Sequence, residues 1–159
     1  MPVPGATARP STPSVLAFTL PAEWVAPSLA RERFDRWLGD LAWPGSQRAD
    51  LVLALSEAVS NSVEHGYGIG SGQLPDEADV VEVHARVAVG PDDTRRVVLI
   101  VRDLGRWREP VAPQRHRGHG LSMIRAGGDE LRIDGDDDGT TVTLTSRPAP
   151  PSPASGAKP

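Results

Sequence analysis

The sequence predicts an α+β domain, a two-layer sandwich in which helices cover one face of a mixed, mostly antiparallel sheet. Apolar residues recur with the helical period between residues 27 and 65, whereas strand-like segments joined by turn residues follow between residues 80 and 145. Helices and strands that are separated along the chain in this way are typical of α+β folds. The Pro-rich ends leave about 130 residues for the folded part, which is the usual size of one domain.

The first two elements are a strand and a helix. Val15–Leu20 alternates in polarity and stops at Pro21, which predicts a strand. Pro27–Leu41 has the helical period, and Pro44-Gly45 breaks it. The apolar residues on one side of this first helix are Leu29, Phe34, Trp37, Leu38 and Leu41.

A second helix is predicted from Ser46 to about His65. Ser46 stands where an N-cap is expected, and Gly66 and Gly68 follow the last helical residue. An apolar stripe that can pack on the sheet runs along it, formed by Val52, Leu55, Val59 and Val63.

Two hairpins complete the predicted sheet. Val80–Val89 and Arg95–Arg102 read as strands joined by the turn-forming Gly90–Asp93. Glu130–Asp134 and Thr140–Thr145 form the last hairpin, around residues 135–139. A short helix is expected over residues 120–126, between the two hairpins.

Composition limits the class of protein. Residues 1–14 and 147–159 are almost wholly Pro, Ala, Ser, Gly and Thr, which predicts disordered tails around a domain at 15–146. The chain has no cysteine, a net charge of −4, no apolar run long enough to span a bilayer and no secretory signal. We therefore expect a soluble cytoplasmic protein that binds neither membrane nor nucleic acid directly.

Polar residues follow a separate line on the second helix. Glu57, Asn61 and His65 are spaced four apart, so each lies about 40° around the axis from the last. Asn61 offers a carbonyl oxygen to Mg²⁺, and Glu57 can accept a proton from a hydroxyl or water. His65 can meet a phosphate or interact only with the helix dipole. The same line also suits the solvated side of an amphipathic helix, and the spacing leaves both readings open.

Two later segments add candidate nucleotide contacts. Asp103-Leu104-Gly105 follows a strand, where an aspartate can accept from an exocyclic amine and a glycine lets a flat base approach. Arg117-Gly118-His119-Gly120-Leu121 precedes the short helix, and its backbone N–H groups and cationic side chains suit phosphate. An ordinary turn and a flexible charged loop remain the alternatives. The glycine loop matches neither the P-loop nor the dinucleotide-binding pattern.

The order of these motifs resembles the GHKL ATP-binding fold, also called the Bergerat fold. The motifs are Glu57-Ala-x-x-Asn61-x-x-x-His65-Gly66, Asp103-x-Gly105, Arg117-Gly-x-Gly120 and Gly139-Thr140-Thr141. Within that superfamily the sequence is most similar to the anti-sigma-factor serine/threonine kinases of the RsbW and SpoIIAB type, in which a Glu stands where Glu57 does. The resemblance covers residues 15 to 146.

The resemblance implies a role for each motif. Glu57 would be the general base and Asn61 the Mg²⁺ ligand, while Asp103 would bind the adenine amino group above Gly105. The implied nucleotide contacts are Asn61, His65, Asp103, Gly105, Arg117, Gly118, His119, Gly120, Leu121 and Thr140 or Thr141. Arg106-Trp107 departs from the pattern, since many relatives carry a small residue there, and the glycine loop is short.

The resemblance also implies partners. Kinases of this family phosphorylate an antagonist protein with a STAS domain and otherwise hold a sigma factor inactive, and many are homodimers. The leading hypothesis is therefore an ATP-dependent serine/threonine kinase of this type. The alternatives are an ATP-binding interaction module with little catalysis and a histidine-kinase-like catalytic domain acting in trans.

Overall fold

The computed structural model describes residues 13–67, 76–105, 122 and 124–153. In chain order the elements are β1 (Val15–Pro21), α1 (Ala26–Asp40), α2 (Gly45–Asn61), a π-helical turn (Ser62–Gly66), β2 (Val80–Val89), β3 (Arg95–Asp103), β4 (Glu130–Asp136) and β5 (Gly139–Thr145). Residues 122 and 124–126 are also helical. No helix within these described ranges is long and apolar enough to cross a bilayer.

The five strands form one sheet in the order β1-β2-β3-β5-β4, and all four described pairings are antiparallel. β3 lies at the centre, where Val101 pairs with Val83 on one side and Val142 on the other. Because side chains alternate across a strand, these three residues share the face that packs on the helices. The predicted α+β two-layer fold is confirmed.

The core lies between that face and the two helices. Phe34 and Leu38 of α1 and Leu55 and Val59 of α2 are fully buried against it. Of the predicted α2 stripe, Val63 is also buried, while Val52 is partly buried. The hydrophobic period of the sequence therefore identified the face of each helix that meets the sheet.

The predicted N-cap of α2 is wrong. The helix begins at Gly45, its N-cap residue is Pro44, and no side chain caps it. The Pro44 carbonyl accepts the first helical hydrogen bond from the Arg48 N–H, at 2.8 Å. Ser46 therefore lies inside the first turn, where its side chain cannot play the capping role.

The described part of the C-terminal segment contacts the fold. Ala149 is 1% exposed and exchanges two backbone hydrogen bonds with Arg95, of 2.8 and 2.7 Å. The Arg95 guanidinium donates to the carbonyls of Pro150 and Leu41 and lies over the ring of Trp43, 4.8 Å from its centroid. The domain limit at residue 146 stays a prediction, but these contacts tie the residues beyond it to the domain.

A chain ending at Ser146 is expected to unfold at a lower temperature than the full chain. It loses the Pro150 carbonyl that accepts from buried Arg95, and a buried donor left without a partner costs about 1–3 kcal/mol. Calorimetry should show a fall in Tm of several degrees. A chain ending at Pro153 is the matched control, and an unchanged Tm in the shorter chain would contradict the prediction.

Candidate functional site

A small cavity lies between the C-terminal end of α2 and the inner face of the sheet. Its lining residues are Ala58, Asn61, Ser62, Asp103, Ile124, Ile133, Thr140 and Val142. The cavity volume is about 20 Å³, enough for roughly one water molecule. A purine base is larger than this cavity.

The sheet register explains why these residues meet. Val97, Leu99 and Val101 alternate along β3 on the inner face, so Asp103, two residues on, ends the strand on that same face. Asp103 pairs with Thr140 at the start of β5. The end of α2 crosses above them and contributes Asn61.

Asp103 is the buried carboxylate of the cavity. Its side chain is held by three hydrogen-bond donors, which are the Ser62 side chain and the backbone N–H groups of Gly105 and Thr140. The Gly105 N–H lies 3.2 Å from Oδ1. Burial raises the pKa of Asp103, and these hydrogen bonds oppose that shift. A carboxylate held in this way can accept a further hydrogen bond from an amine that enters the cavity.

The hydroxyl of Thr140 supports a polar occupant. Its Oγ1 is buried and has no hydrogen-bond partner among the described residues. Buried polar atoms in native proteins are nearly always paired, so an unpaired one in a cavity wall indicates a site for water or a polar ligand. The donor and acceptor set of this cavity therefore suits the edge of a purine.

The structure separates the two candidate threonines. Thr140 faces the cavity, whereas Thr141 faces the opposite side of the sheet and lines an open groove with Arg102 and Asp134. Adjacent residues of a strand point to opposite faces, so only Thr140 can reach the buried side. Gly105 is buried beside Asp103, as a residue beneath a base would be.

The polar line on α2 is only partly arranged as the spacing suggests. Asn61 lines the cavity, and Glu57 lies one turn before it, half-buried and outside the lining. After Asn61 the helix adopts π geometry, with wider turns, so His65 departs from the line that α-helical spacing gives. The structure thus brings Asn61, Asp103 and Thr140 together.

The residues of the predicted glycine loop lie outside the described part of the chain. They are Arg117, Gly118, His119, Gly120 and Leu121, and Arg106-Trp107 falls in the same range. Their proposed contacts with phosphate stay predictions.

Sequence reasoning missed two hydroxyl residues. Ser62 bonds to Asp103. The Tyr67 hydroxyl donates to the Val80 carbonyl at 2.6 Å and accepts from the Leu104 N–H at 2.9 Å. The available signals were the position of Ser62 directly after Asn61 and the fact that Tyr67 is the sole tyrosine of the chain.

Gly139 permits the close approach of the β4–β5 hairpin to Asp103. Its φ is +140°, and a Cβ built there would overlap the Asp103 carbonyl oxygen. Gly139→Ala is expected to lower the free energy of unfolding by about 1–3 kcal/mol, because alanine rarely adopts this conformation. Chemical denaturation would measure the loss. Gly45→Ala is the control, since its Cβ would meet no atom within 4 Å; equal stability of both variants would refute the argument.

Comparison with known proteins gives two kinds of match. A family model described as a histidine kinase-like ATPase domain matches residues 20–146. The crystal structure of the RsbU and RsbW domains of Rv1364c from Mycobacterium tuberculosis is 33% identical, with a TM-score of 0.58 over 87% of this chain. The match covers 33% of that crystallised chain, so the present chain spans about a third of its length.

A second solved structure is the histidine kinase domain of the Erythrobacter litoralis EL346 blue-light activated histidine kinase. It is 21% identical, with a TM-score of 0.44 over 65% of this chain and 48% of that one.

Proposed function

We propose that this chain, which belongs to the histidine kinase-like ATPase domain family, is a protein serine/threonine kinase of the anti-sigma-factor type. Membership of the family implies that the domain binds ATP. The proposal includes the serine/threonine specificity, the Mg²⁺ requirement, the partners and a cytoplasmic location.

One observation carries the proposal. The end of α2 with Asn61, the buried carboxylate of Asp103 and the unpartnered hydroxyl of Thr140 line a single cavity. A solvated helix face would place Asn61 away from the strand-end aspartate. Their meeting favours the nucleotide-binding interpretation of the polar line over the solvated one.

The base would be recognised from the sheet side. Asp103 would accept a hydrogen bond from the adenine 6-amino group, and buried Gly105 would allow the ring to approach the backbone. Thr140 would direct its hydroxyl to a ring nitrogen or to a water molecule that bridges to one. Each of these groups already faces the cavity or lies beside it.

The end of α2 and the glycine loop would bind the metal ion and the phosphates. Asn61 would hold Mg²⁺ through its amide oxygen, which suits an ion whose other ligands are phosphate oxygens and water. His65 and the Arg117–Leu121 loop would donate to the phosphates. The bound nucleotide would supply the γ-phosphoryl group.

Glu57 would act as the general base. It would accept the proton of a serine hydroxyl on the protein substrate as that oxygen bonds to the γ-phosphorus and the bond to ADP breaks. Its position is consistent with this role, because it lies one turn from Asn61, half-buried and outside the cavity, where a protein substrate can approach it.

The proposed partners are a STAS-domain antagonist as substrate, a sigma factor as the regulated protein, and a second copy of the chain in a homodimer. The solved structure of Rv1364c supports a regulatory role, since that protein carries RsbU and RsbW domains in one chain. The present chain is similar to one third of the crystallised chain.

The test has two steps. Isothermal titration with ATP, with and without Mg²⁺, should show binding that requires the metal for full affinity. Incubation with γ-labelled ATP and a STAS-domain protein should then give an acid-stable phosphoserine. An acid-labile product would indicate a histidine kinase, and ATP binding without transfer to any candidate would favour a regulatory module. Absence of ATP binding would refute the proposal.

A further inference from the structure

The π-helical turn after α2 joins the helix layer to the sheet layer at the cavity. Ser62 is its first residue, is 5% exposed, and directs its hydroxyl to the Asp103 carboxylate. Ser62 also lines the cavity beside Asn61. The end of the helix layer therefore contributes both Asn61 and Ser62 to the cavity wall.

The Ser62 hydroxyl differs in kind from the other donors to Asp103. The N–H groups of Gly105 and Thr140 belong to the strand ends, so they fix the carboxylate only relative to the sheet. Ser62 belongs to the π-helical turn of the helix layer. Among the described residues, it is the side-chain donor to Asp103. Its hydroxyl therefore ties the carboxylate to the helix layer as well as to the sheet.

The charge of Asp103 matters as much as its orientation. Asp103 is 2% exposed, and burial without partners disfavours the ionised carboxylate. A protonated carboxyl group would present a donor where an amine needs an acceptor. A hydroxyl donor at Ser62 stabilises the ionised, accepting form.

We propose that Ser62 is a positioning residue for base recognition, whose hydroxyl holds the Asp103 carboxylate in the orientation that accepts the 6-amino group of a purine. The inference rests on the proposed nucleotide site and adds a determinant of its specificity for the base. Ser62 acts through Asp103 and needs no contact with the nucleotide.

Tyr67 makes this role separable from a structural one. Its hydroxyl bridges the Val80 carbonyl and the Leu104 N–H, so it fixes the backbone between Asp103 and Gly105 independently of Ser62. Loss of the Ser62 hydroxyl is therefore expected to free the Asp103 side chain while the turn that carries it keeps its place.

The experiment compares two nucleotides on the full chain. Wild type and Ser62→Ala are titrated calorimetrically with Mg·ATP and with Mg²⁺ and purine riboside triphosphate, which has hydrogen in place of the 6-amino group. ATP affinity should fall about tenfold in the variant, the loss typical of a hydrogen bond to a charged group. Affinity for the amino-free analogue should stay nearly unchanged, so the preference for ATP is reduced by the same factor.

Two further variants complete the design. Ser60→Ala makes the same change on the same helix, at a half-buried residue outside the cavity lining, and should keep the wild-type preference. Ser62→Cys keeps the size of the side chain with only a weak donor, and should behave like Ser62→Ala. Thermal unfolding without nucleotide establishes that each variant is folded.

The outcomes separate this inference from the proposed function. Retention of the wild-type preference for ATP by folded Ser62 variants overturns the positioning role, and so does an equal loss for both nucleotides. A wild-type protein that binds neither nucleotide refutes the proposed function itself, and the inference with it.

Discussion

Replacement of Glu57 by Gln is expected to lower the rate of phosphoryl transfer by a factor of about 10²–10⁴, the usual contribution of a general base. The amide has nearly the size of the carboxylate but cannot accept the substrate proton. ATP affinity should change little, because Glu57 is not among the residues that line the cavity. Single-turnover transfer of label to the STAS-domain protein measures the rate, and calorimetry measures the affinity.

Glu64→Gln provides the matched control for this change. Glu64 lies in the π-helical turn and is half-buried like Glu57, but it is not in line with Asn61. Its variant should transfer phosphate at the wild-type rate. If Glu57→Gln also retains that rate, Glu57 is not the base.

Asp103→Asn is expected to have the largest effect on nucleotide binding, with ATP affinity lowered by a factor of about 10–100, as for loss of a charged hydrogen-bond acceptor. The amide must point either its oxygen or its NH₂ group at the incoming amine. The donors already present at Gly105, Thr140 and Ser62 compete for that oxygen. Calorimetric titration with Mg·ATP measures the loss, and an affinity equal to wild type would contradict the assignment of Asp103.

The same variant tests the burial of the carboxylate through pH. Burial raises the pKa of Asp103 in the folded state, so the folded protein binds this proton more tightly than the unfolded chain does. Below the ordinary pKa of an aspartate, the carboxyl is protonated in both the folded and the unfolded state, and its raised pKa does not affect stability. As pH rises from there to the raised pKa of the folded state, the free energy of unfolding falls. Relative to Asp103→Asn, wild type should therefore lose stability as pH increases through that interval, and then level off.

Thermal unfolding of both proteins across this pH range measures the difference. Asp136→Asn makes the same chemical change at an exposed aspartate of β4 and is the control. A difference between wild type and Asp103→Asn that stays constant with pH would refute the raised pKa.

The layers of the fold could be predicted because their signals are local. Val97, Leu99 and Val101 alternate in the sequence, and that period alone gives a strand with one buried face. The helical period of α1 and α2 is equally direct. The start of α2 could not be predicted as well, since Pro44 and Ser46 both stand near a possible N-cap position and the backbone at Pro44 decides between them.

The sequence was sufficient to predict which segments contribute to the candidate site, but not which of their side chains contact one another. Asn61 and Asp103 were recognised from the order of motifs, whereas the choice of Thr140 over Thr141 depends on the register of β5 against β3. A shift of one residue reverses which threonine faces the helices. Ser62 and Asp103 lie in different layers and are 41 positions apart in the chain, so no local sequence pattern specifies their hydrogen bond.

The attachment of Ala149 to Arg95 determines where a tethered domain or label would sit. Ser14 bonds to Val87, which pairs with Val97, so both ends of the described chain meet the sheet near the start of β3. Asp103 ends that strand, eight residues from Arg95 and six from Val97, which is roughly 20–26 Å at the usual rise per residue. A fluorophore or fusion partner joined before Ser14 or beyond Ala149 would thus be attached at the end of the sheet opposite Asp103.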